Sequence, residues 1–491
     1  VRIPIDHQSP VSLYQQIETY LRDSILSGKL PPETRLPASR ELADDLGVSR
    51  TTVENAYAEL EAMGIVVRHV GKGTYVPNPN TFSHLSEQAS HQTWPLWQQD
   101  FLDTQFNKRE SGLPHPAPGS QHPNPISFTG FGDPGRFPVS DFHKAIKTVI
   151  QQDGIAALGF GDSRGYAPLR VTIASILASQ GIPVYPDSVL ITSGSQQAIA
   201  LVTQLLLKPG DTVLVEKPTY DLGLDLLRSQ HLKIVGCPTD EGGMQVEQLE
   251  PLLQQHHPKL IYTIPDFQNP TGMCLSLPRR RQLITLADRY NIPILEDDFA
   301  GDLRYDGYEH PALKTLDPGG RVIYIGTFSK MLMPGLRIGF LIADGPVYNS
   351  ILHLKRVSDL ATSTLIQHAL EAYITVGRYQ AHLRRSRHIY RKRRDAMLKA
   401  IATYLPKDVQ VIPPQGGLFI WLRLPEPFSS LELLPIAARN GVDFAAGPQF
   451  FLNSDEGQQY LRLNFAVQTP ANIEEGVKRL GNAIKELSMR R

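Results

Sequence analysis

The chain has 491 residues, 41% of them apolar, enough to bury the cores of two or three domains. Lys+Arg and Asp+Glu both total 49, so no global field points to nucleic acid or to a membrane, and any basic patch must be local. Two cysteines, Cys237 and Cys274, give no disulfide framework. VRIPIDHQSP lacks the apolar core of a signal peptide, and no run approaches the ~20 apolar residues of a membrane helix, so a soluble cytoplasmic protein is expected.

VSLYQQIETYLRDSILSG carries apolar residues at 13, 17, 21, 25 and 26, a helical stripe that Gly28 stops. ASRELADDLG predicts a second, short helix ending at Gly47. Ser49 can cap a third, RTTVENAYAELEAMG, which stops at Gly64. IVVRHVGKGTYVP predicts a hairpin turning at Gly71-Lys72-Gly73. Three helices and a hairpin make a winged helix-turn-helix over residues 1–76. Proline density from PNPNTF to LPHPAPGSQHPNP marks residues 77–125 as an interdomain linker, within which WPLWQQDFL could dock as a short segment.

From Ile126 onward, SVLITSG, TVLVEKP, KIVGCP, LIYTIP, IPILEDD and VIYIGTFSK alternate with helical stretches such as QQAIALVTQLLL and PRRRQLITLADRY. That alternation predicts an α/β domain over 126–491 with a largely parallel sheet, its ligand site in the loops beyond the strand carboxyl ends. Those loops carry distinctive polar groups. Ser195 and Gln196 enter a helix from a Gly-Ser turn, a seat for phosphate that many other strand-to-helix turns share. Tyr220 could stack on a flat ring or sit at a rim. Asn269, in PDFQNPTG, could reach a ligand or brace its turn. Asp297 and Asp298 close a strand. YIGTFSKMLMPGLRIGF places Thr327, Ser329, Lys330 and Arg337 between two apolar runs.

Taken as an ordered set, GSQQ, KPTY, NPTG, EDD, FSK with PGLRIGF, and LRLNFA resemble the fold-type I pyridoxal-phosphate enzymes, the aminotransferase superfamily, over roughly residues 126–491. The resemblance implies a large, mostly parallel sheet domain with a smaller α/β domain, and pyridoxal 5'-phosphate as cofactor. Lys330 becomes the lysine whose neutral amine condenses with the cofactor aldehyde. Ser195, Gln196, Thr327, Ser329 and Arg337 would hold the phosphate. Asp297 would pair with the ring nitrogen, Asn269 with the ring oxygen, and Tyr220 would stack on the ring. Arg462 would bind a substrate or effector carboxylate, and FTGFGDPGRFP, with Gly130, would line that pocket. Gly416 and Gly417 would let backbone approach the ligand. One departure stands out. Related sequences often have a tyrosine just after the paired aspartates, where this chain has Phe299 and Ala300. No metal is expected.

LPASRELADDLGVSRTTVENAYAELEAMGIVVRHVGKGTYV resembles the GntR-type winged helix. Residues 1–76 hold eight Lys/Arg against ten Asp/Glu, a formal net charge of −2, so DNA contact must rest on local groups. Arg35, Ser39, Arg40, Ser49, Arg50, Thr51, Thr52, Lys72 and Gly73 are the candidates. The amino end of the third helix would enter the major groove, and Gly73 would let the wing approach the minor groove. The fusion is the architecture of MocR-type regulators in the GntR superfamily. It implies a homodimer, an operator with paired half-sites, and pyridoxal phosphate itself or an amino acid or related amine as effector. A working aminotransferase with an accessory DNA-binding module is the alternative.

Overall fold

The computed structural model describes residues 3–6, 9, 11–69, 73–77, 122–130 and 132–490. Lys72 at the wing turn, Phe131, and most of the 77–125 stretch with WPLWQQDFL lie outside the described residues. The chain divides into two compact units, Val1–Glu110 and Ser111–Arg491.

In the first unit, α1 (Leu13–Leu26), α2 (Ser39–Leu46) and α3 (Arg50–Ala62) precede the antiparallel strands β1 (Val67–His69) and β2 (Gly73–Tyr75). The apolar stripe of α1 buries Ile17 and Leu21 against Leu42, Val53, Ala56, Tyr57 and Leu60. Burial of that stripe holds these short helices together, since isolated helices of such length are marginal in water. Each ends as its sequence predicts: Gly47 caps α2 in the left-handed conformation at φ 66°. At the other end of the turn, the Ser49 hydroxyl accepts from the Thr52 amide and caps α3. The Tyr57 hydroxyl, inside the core, donates to the Pro37 carbonyl at 2.8 Å.

The second unit begins its described part at β3 (Ile126–Ser127). Its main sheet comprises β4 (Val189–Thr192), β5 (Thr212–Lys217), β6 (Lys233–Asp240), β7 (Gly243–Met244), β8 (Leu260–Thr263), β9 (Ile294–Asp298), β10 (Val322–Thr327) and β11 (Gly339–Ile342). Their order is β4-β11-β10-β9-β8-β5-β6-β7. β10, β9, β8, β5 and β6 are parallel neighbours; β11 runs antiparallel to both β10 and β4. The predicted parallel sheet is therefore mixed at β11, which returns directly from the Lys330 loop.

Every residue of β4, β8, β10 and β11 is buried, as expected of a sheet covered on both faces. Alternation sorts the strands between two cores. Leu260, Tyr262 and Leu295 join one; Ile261, Ile294 and Val322 join the other, with Leu249, Leu253 and Leu283 from the helices Leu249–His256 and Leu277–Tyr290. Gly326 lies opposite Phe340 in the β10/β11 ladder, and a Cβ there would fall 2.4 Å from the Phe340 ring, so glycine makes room for that aromatic.

The 27-residue helix Arg378–Tyr404 precedes a smaller sheet of β12 (Gln410–Val411), β13 (Phe419–Arg423), β15 (Ala445–Ala446) and β16 (Tyr460–Asn464), in the order β12-β13-β16-β15. β14 (Val442–Asp443) pairs parallel with β3. The helix Pro470–Met489 packs against the helices Arg378–Tyr404 and Ser430–Arg439, with β3 and β14 beside it. Among the described residues no helix is long and apolar enough to cross a membrane.

Ser49→Ala removes the α3 cap and is expected to cost about 1 kcal/mol of local stability. Amide hydrogen exchange in the full chain should show faster exchange at Thr51 and Thr52, with the main sheet unchanged.

Candidate functional site

All the parallel strands of the main sheet point their carboxyl ends to one edge, and the polar loops gather there. After β4, Gly194 begins the helix Ser195–Leu206 at φ 96°; a glycine at this position supplies no side chain to the first-turn N–H groups. A Cβ on Gly194 would fall 2.6 Å from Arg337 Nη2, so the bare backbone is what admits the guanidinium. Arg337, itself at φ 51°, donates from Nη2 to the Ser193 carbonyl at 3.0 Å. Gly339 sits equally tight, where an added Cβ would lie 2.9 Å from Ser195 N. At the end of β10 the Thr327 hydroxyl accepts from the Ser329 amide at 3.1 Å, and the buried Ser329 Oγ has no hydrogen-bond partner among the described residues. Ser195, Thr327, Ser329 and Arg337 thus share one corner of the edge.

Asp297 and Asp298 face opposite ways. Asp298 has both oxygens engaged, Oδ1 by the Gly301 amide at 2.7 Å and Oδ2 by the Tyr324 hydroxyl at 2.5 Å. Asp297 accepts only from the Tyr262 hydroxyl, 2.9 Å from Oδ2, and its Oδ1 has no hydrogen-bond partner among the described residues. Burial pushes the Asp297 carboxyl up to about 7, against the stabilising Tyr262 bond. Burial likewise brings the Lys330 amine down to about 7, with the Arg462 and Arg337 guanidiniums adding to the effect and Asp221 and Asp297 opposing it. An amine so placed is neutral in much of the population near neutral pH.

Arg462, on β16, is 5% exposed. Its guanidinium lies 4.1 Å from the Phe419 ring centroid and 4.8 Å from that of Phe450, and Nη1 donates to Asn269 Oδ1 at 2.6 Å. Asn269 is therefore oriented by Arg462. Tyr220 precedes the helix Asp221–Ser229 and donates to Gln196 Oε1 at 3.3 Å. The Gly130 carbonyl accepts from Asn464 Nδ2 at 2.7 Å, which joins the FTGFG segment to the strand that carries Arg462.

Other features of this edge are set by packing. Gly416 and Gly417 leave room for their neighbours: a Cβ on Gly416 would lie 2.3 Å from both the Leu303 carbonyl and the Phe267 ring, and one on Gly417 2.7 Å from Phe267 Cβ. Phe299 stacks on Phe419, ring centroids 6.3 Å apart, so the missing tyrosine is an apolar contact. Sequence reading also missed the supports of the loops. Buried Glu216 accepts from Thr263 Oγ1 and from the Ile264 amide, and Gln268 links the Pro218 carbonyl to Thr271, tying down the Asn269 turn. Asp221, inside the cluster of charges, carried no motif. Tyr262 was visible only through strand alternation, which sets it on the same core as Leu295.

In the first unit, Ser49, Arg50, Thr51 and Thr52 occupy the start of α3, with Arg50 and Thr51 exposed. Arg50 Nε donates to Glu54 Oε1 at 2.8 Å, so its guanidinium is held along the helix. Ser39 opens α2, next to exposed Arg40. The Arg35 side chain lies against the wing: a Cβ on Gly73, at φ 111°, would lie 3.1 Å from its Nε.

A helix-turn-helix unit and a fold-type I sheet with a half-buried lysine define two known modules, and both are recognised. Residues 13–76 match the bacterial regulatory proteins of the gntR family, and residues 132–480 match aminotransferase class I and II. The uncharacterized HTH-type transcriptional regulator YdfD of Bacillus subtilis is 31% identical, over 97% of this chain and 97% of its own. The multiple substrate aminotransferase MsAT of Thermococcus profundus superposes with a TM-score of 0.76 at 33% identity, covering 81% of this chain and all of that one. LysN, the α-aminoadipate aminotransferase of Thermus thermophilus, in complex with N-(5'-phosphopyridoxyl)-L-leucine, gives 0.71 at 35% identity, over 75% of this chain and 94% of its own. The chain belongs to the GntR-family HTH-type transcriptional regulators of MocR-type architecture, in which a DNA-binding helix-turn-helix is fused to an aminotransferase class I/II domain.

The lowered Lys330 titration predicts a pH signature in the protein without cofactor. The unfolded chain binds more protons at this site between about 7 and the ordinary lysine range, so the wild-type fold loses stability as pH falls through that window. Lys330→Met removes this linkage. Its unfolding midpoint should gain on wild type steadily from about pH 10 to about pH 8; a constant difference between the two melting curves would refute it.

Proposed function

We propose that the second unit binds pyridoxal 5'-phosphate and senses an amino compound beside it, and that occupancy of this site decides how the DNA-binding units of a homodimer engage paired operator half-sites. The observation that carries the reading is one cluster holding a lysine amine poised near neutrality, a buried carboxylate with a vacant oxygen, and an aromatic-clamped arginine.

The residues fit the cofactor. Gly194 leaves the first-turn amides of the helix at Ser195 without a side-chain cap, and Arg337, Thr327 and the unpartnered Ser329 hydroxyl adjoin them, a donor set suited to phosphate. Asp297 Oδ1 is an acceptor for a protonated ring nitrogen. Asn269 and Tyr220 border the same loops, and Lys330 supplies the amine. LysN, similar in fold and sequence, was solved with a phosphopyridoxyl amino acid. When bound, pyridoxal phosphate supplies an electrophilic carbonyl for amines and a ring that serves as an electron sink.

The chain's own groups set what can follow. Neutral Lys330 can give its lone pair to a carbonyl and can accept or return a proton. Ionised Asp297 keeps a facing N–H protonated. Arg462 binds a carboxylate in a site walled by Phe419 and Phe450, where little water competes. Phe299 and Ala300 supply no hydroxyl after the paired aspartates, so Asn269 is the proposed side-chain donor for the ring oxygen, and it is already turned by Arg462. Arg35, Ser39, Arg40, Ser49, Arg50, Thr51, Thr52, Lys72 and Gly73 are the proposed DNA contacts, and the protein acts in the cytoplasm where the operator lies. Signalling between the units requires that a ligand prefer one arrangement of the dimer over another.

Retention of Lys330, Asp297 and Arg462 in one cluster also favours a second reading, that of a turning-over aminotransferase like MsAT. Rapid transamination together with an operator footprint indifferent to cofactor would decide for it.

Borohydride reduction after incubation with pyridoxal phosphate should leave the cofactor on the peptide bearing Lys330, and Lys330→Ala should abolish that adduct while the fold survives. DNase footprinting of the full chain, with and without pyridoxal phosphate and amino acids, is expected to change in extent or spacing; identical footprints under all conditions would sink the sensing role. In the same assay Arg50→Ala should weaken operator binding by about tenfold or more without altering cofactor binding.

A further inference from the structure

β8 and β9 are parallel neighbours, with Tyr262 in register with Leu295. Side chains at 260 and 262 on β8 and at 295 on β9 enter the same core, and the same alternation brings Asp297 to that face. Tyr262 is 1% exposed. A phenol in such a core needs an acceptor, and its hydroxyl reaches Asp297 Oδ2 at 2.9 Å. Burial holds the phenol well above its ordinary range, so it stays a donor at any pH at which the protein works. Gly223 adds a constraint: a Cβ there would lie 3.1 Å from the Tyr220 ring and 3.6 Å from the Tyr262 ring, so both tyrosines are packed against the start of one helix.

Resting on the cofactor reading above, we propose that Tyr262 is a positioning residue that holds Asp297 by Oδ2, so that Oδ1 alone is presented to the ring nitrogen of pyridoxal phosphate. The bond also favours the ionised carboxylate, which the ring nitrogen needs. Other groups act on the same carboxyl. Asp298, next along β9, pushes it up and Lys330, after β10, pulls it down. Glu216 on β5 and Asp221 after β5 are the remaining carboxylates of the cluster, and both are raised by their own burial. Without the Tyr262 donor, burial acts unopposed by any hydrogen bond on Asp297, and protonation sets in at higher pH.

The test is the pH dependence of pyridoxal-phosphate binding by the full chain, followed by absorbance in wild type, Tyr262→Phe and Tyr262→His. Wild-type affinity should fall as Asp297 takes up a proton near pH 7. In Tyr262→Phe the fall should begin about one pH unit higher, with roughly tenfold weaker binding at neutral pH and a smaller difference at pH 9. Tyr262→His keeps an N–H donor and should lie nearer to wild type. A Phe profile that superimposes on wild type, or a His profile indistinguishable from Phe, overturns the role of Tyr262 while leaving the cofactor reading intact. Failure of the wild type itself to bind pyridoxal phosphate removes the cofactor reading, and this inference with it.

Discussion

Taking an amine, a guanidinium and several carboxylates out of water costs several kcal/mol for each ion that stays charged, and the carboxyl edge of the main sheet gathers all of these, with the exposed Arg337 at its rim. The structure meets that cost by neutralisation and by pairing. Lys330 and Asp297 are both drawn to about 7, so either can sit uncharged. Arg462 is brought down to about 10 by burial and is stabilised by two aromatic rings and by Asn269. Each polar group that keeps a vacant valence in this region, Asp297 Oδ1 and Ser329 Oγ above all, represents desolvation not yet compensated by a hydrogen bond. On the proposed cofactor reading, a ligand carrying a phosphate and a protonated ring would complete bonds the folded chain leaves open.

Much of this edge was legible in the chain itself because the groups sit in short motifs at strand ends, where local turn chemistry and ligand chemistry coincide. Lys330, Asp297 and Asn269 each lie at or shortly after an apolar run that reads as a strand, and Arg337 lies just before another. The three helices of the first unit were equally plain, since each carries an apolar stripe and stops at a glycine or just before one. What stayed hidden depends on packing between segments distant in sequence. The bond from Tyr262 to Asp297 spans 35 positions, and the brace of Glu216 on Thr263 spans 47. Neither pair has a local signature beyond alternation along its own strand. Gly416 and Gly417 show the complementary limit: a pair of glycines announces close approach without saying to what, and the neighbours the fold supplies are Phe267 and the backbone of Leu303. The antiparallel turn of β11 was likewise unreadable, because an apolar four-residue strand has no direction in its sequence.

The first unit is under a different constraint. With eight basic and ten acidic residues over positions 1–76, it has no net attraction for DNA, and its contacts must overcome its own acidic groups. Among the described residues three of its basic side chains are already committed within the unit, Arg22 to Glu18, Arg50 to Glu54, and Arg68 to Glu61 and the Glu54 carbonyl. Exposed pairs of this kind are worth at most about 1 kcal/mol, so exchanging Glu54 for a base edge or a phosphate costs little. Affinity from a single such unit is then modest, and a protein built on it gains specificity chiefly by engaging two half-sites at once.

Under the proposed sensing role, that weakness gives the second unit its leverage. If one head bound operator tightly, a ligand would need a large difference in affinity between dimer arrangements to release it; shifting a two-state equilibrium from 1:99 to 99:1 takes about 5.5 kcal/mol. In the proposed dimer with weak heads, binding would depend on both half-sites being reached together, and a modest bias in their arrangement would be enough. A buried cluster in which the charge of Lys330 and Asp297 is set by small changes in their surroundings can supply such a bias, since one pKa unit corresponds to about 1.4 kcal/mol. The same near-neutral poise that suits Lys330 to capture a carbonyl therefore also makes the energy of the site responsive to what occupies it, and sensing needs no turnover.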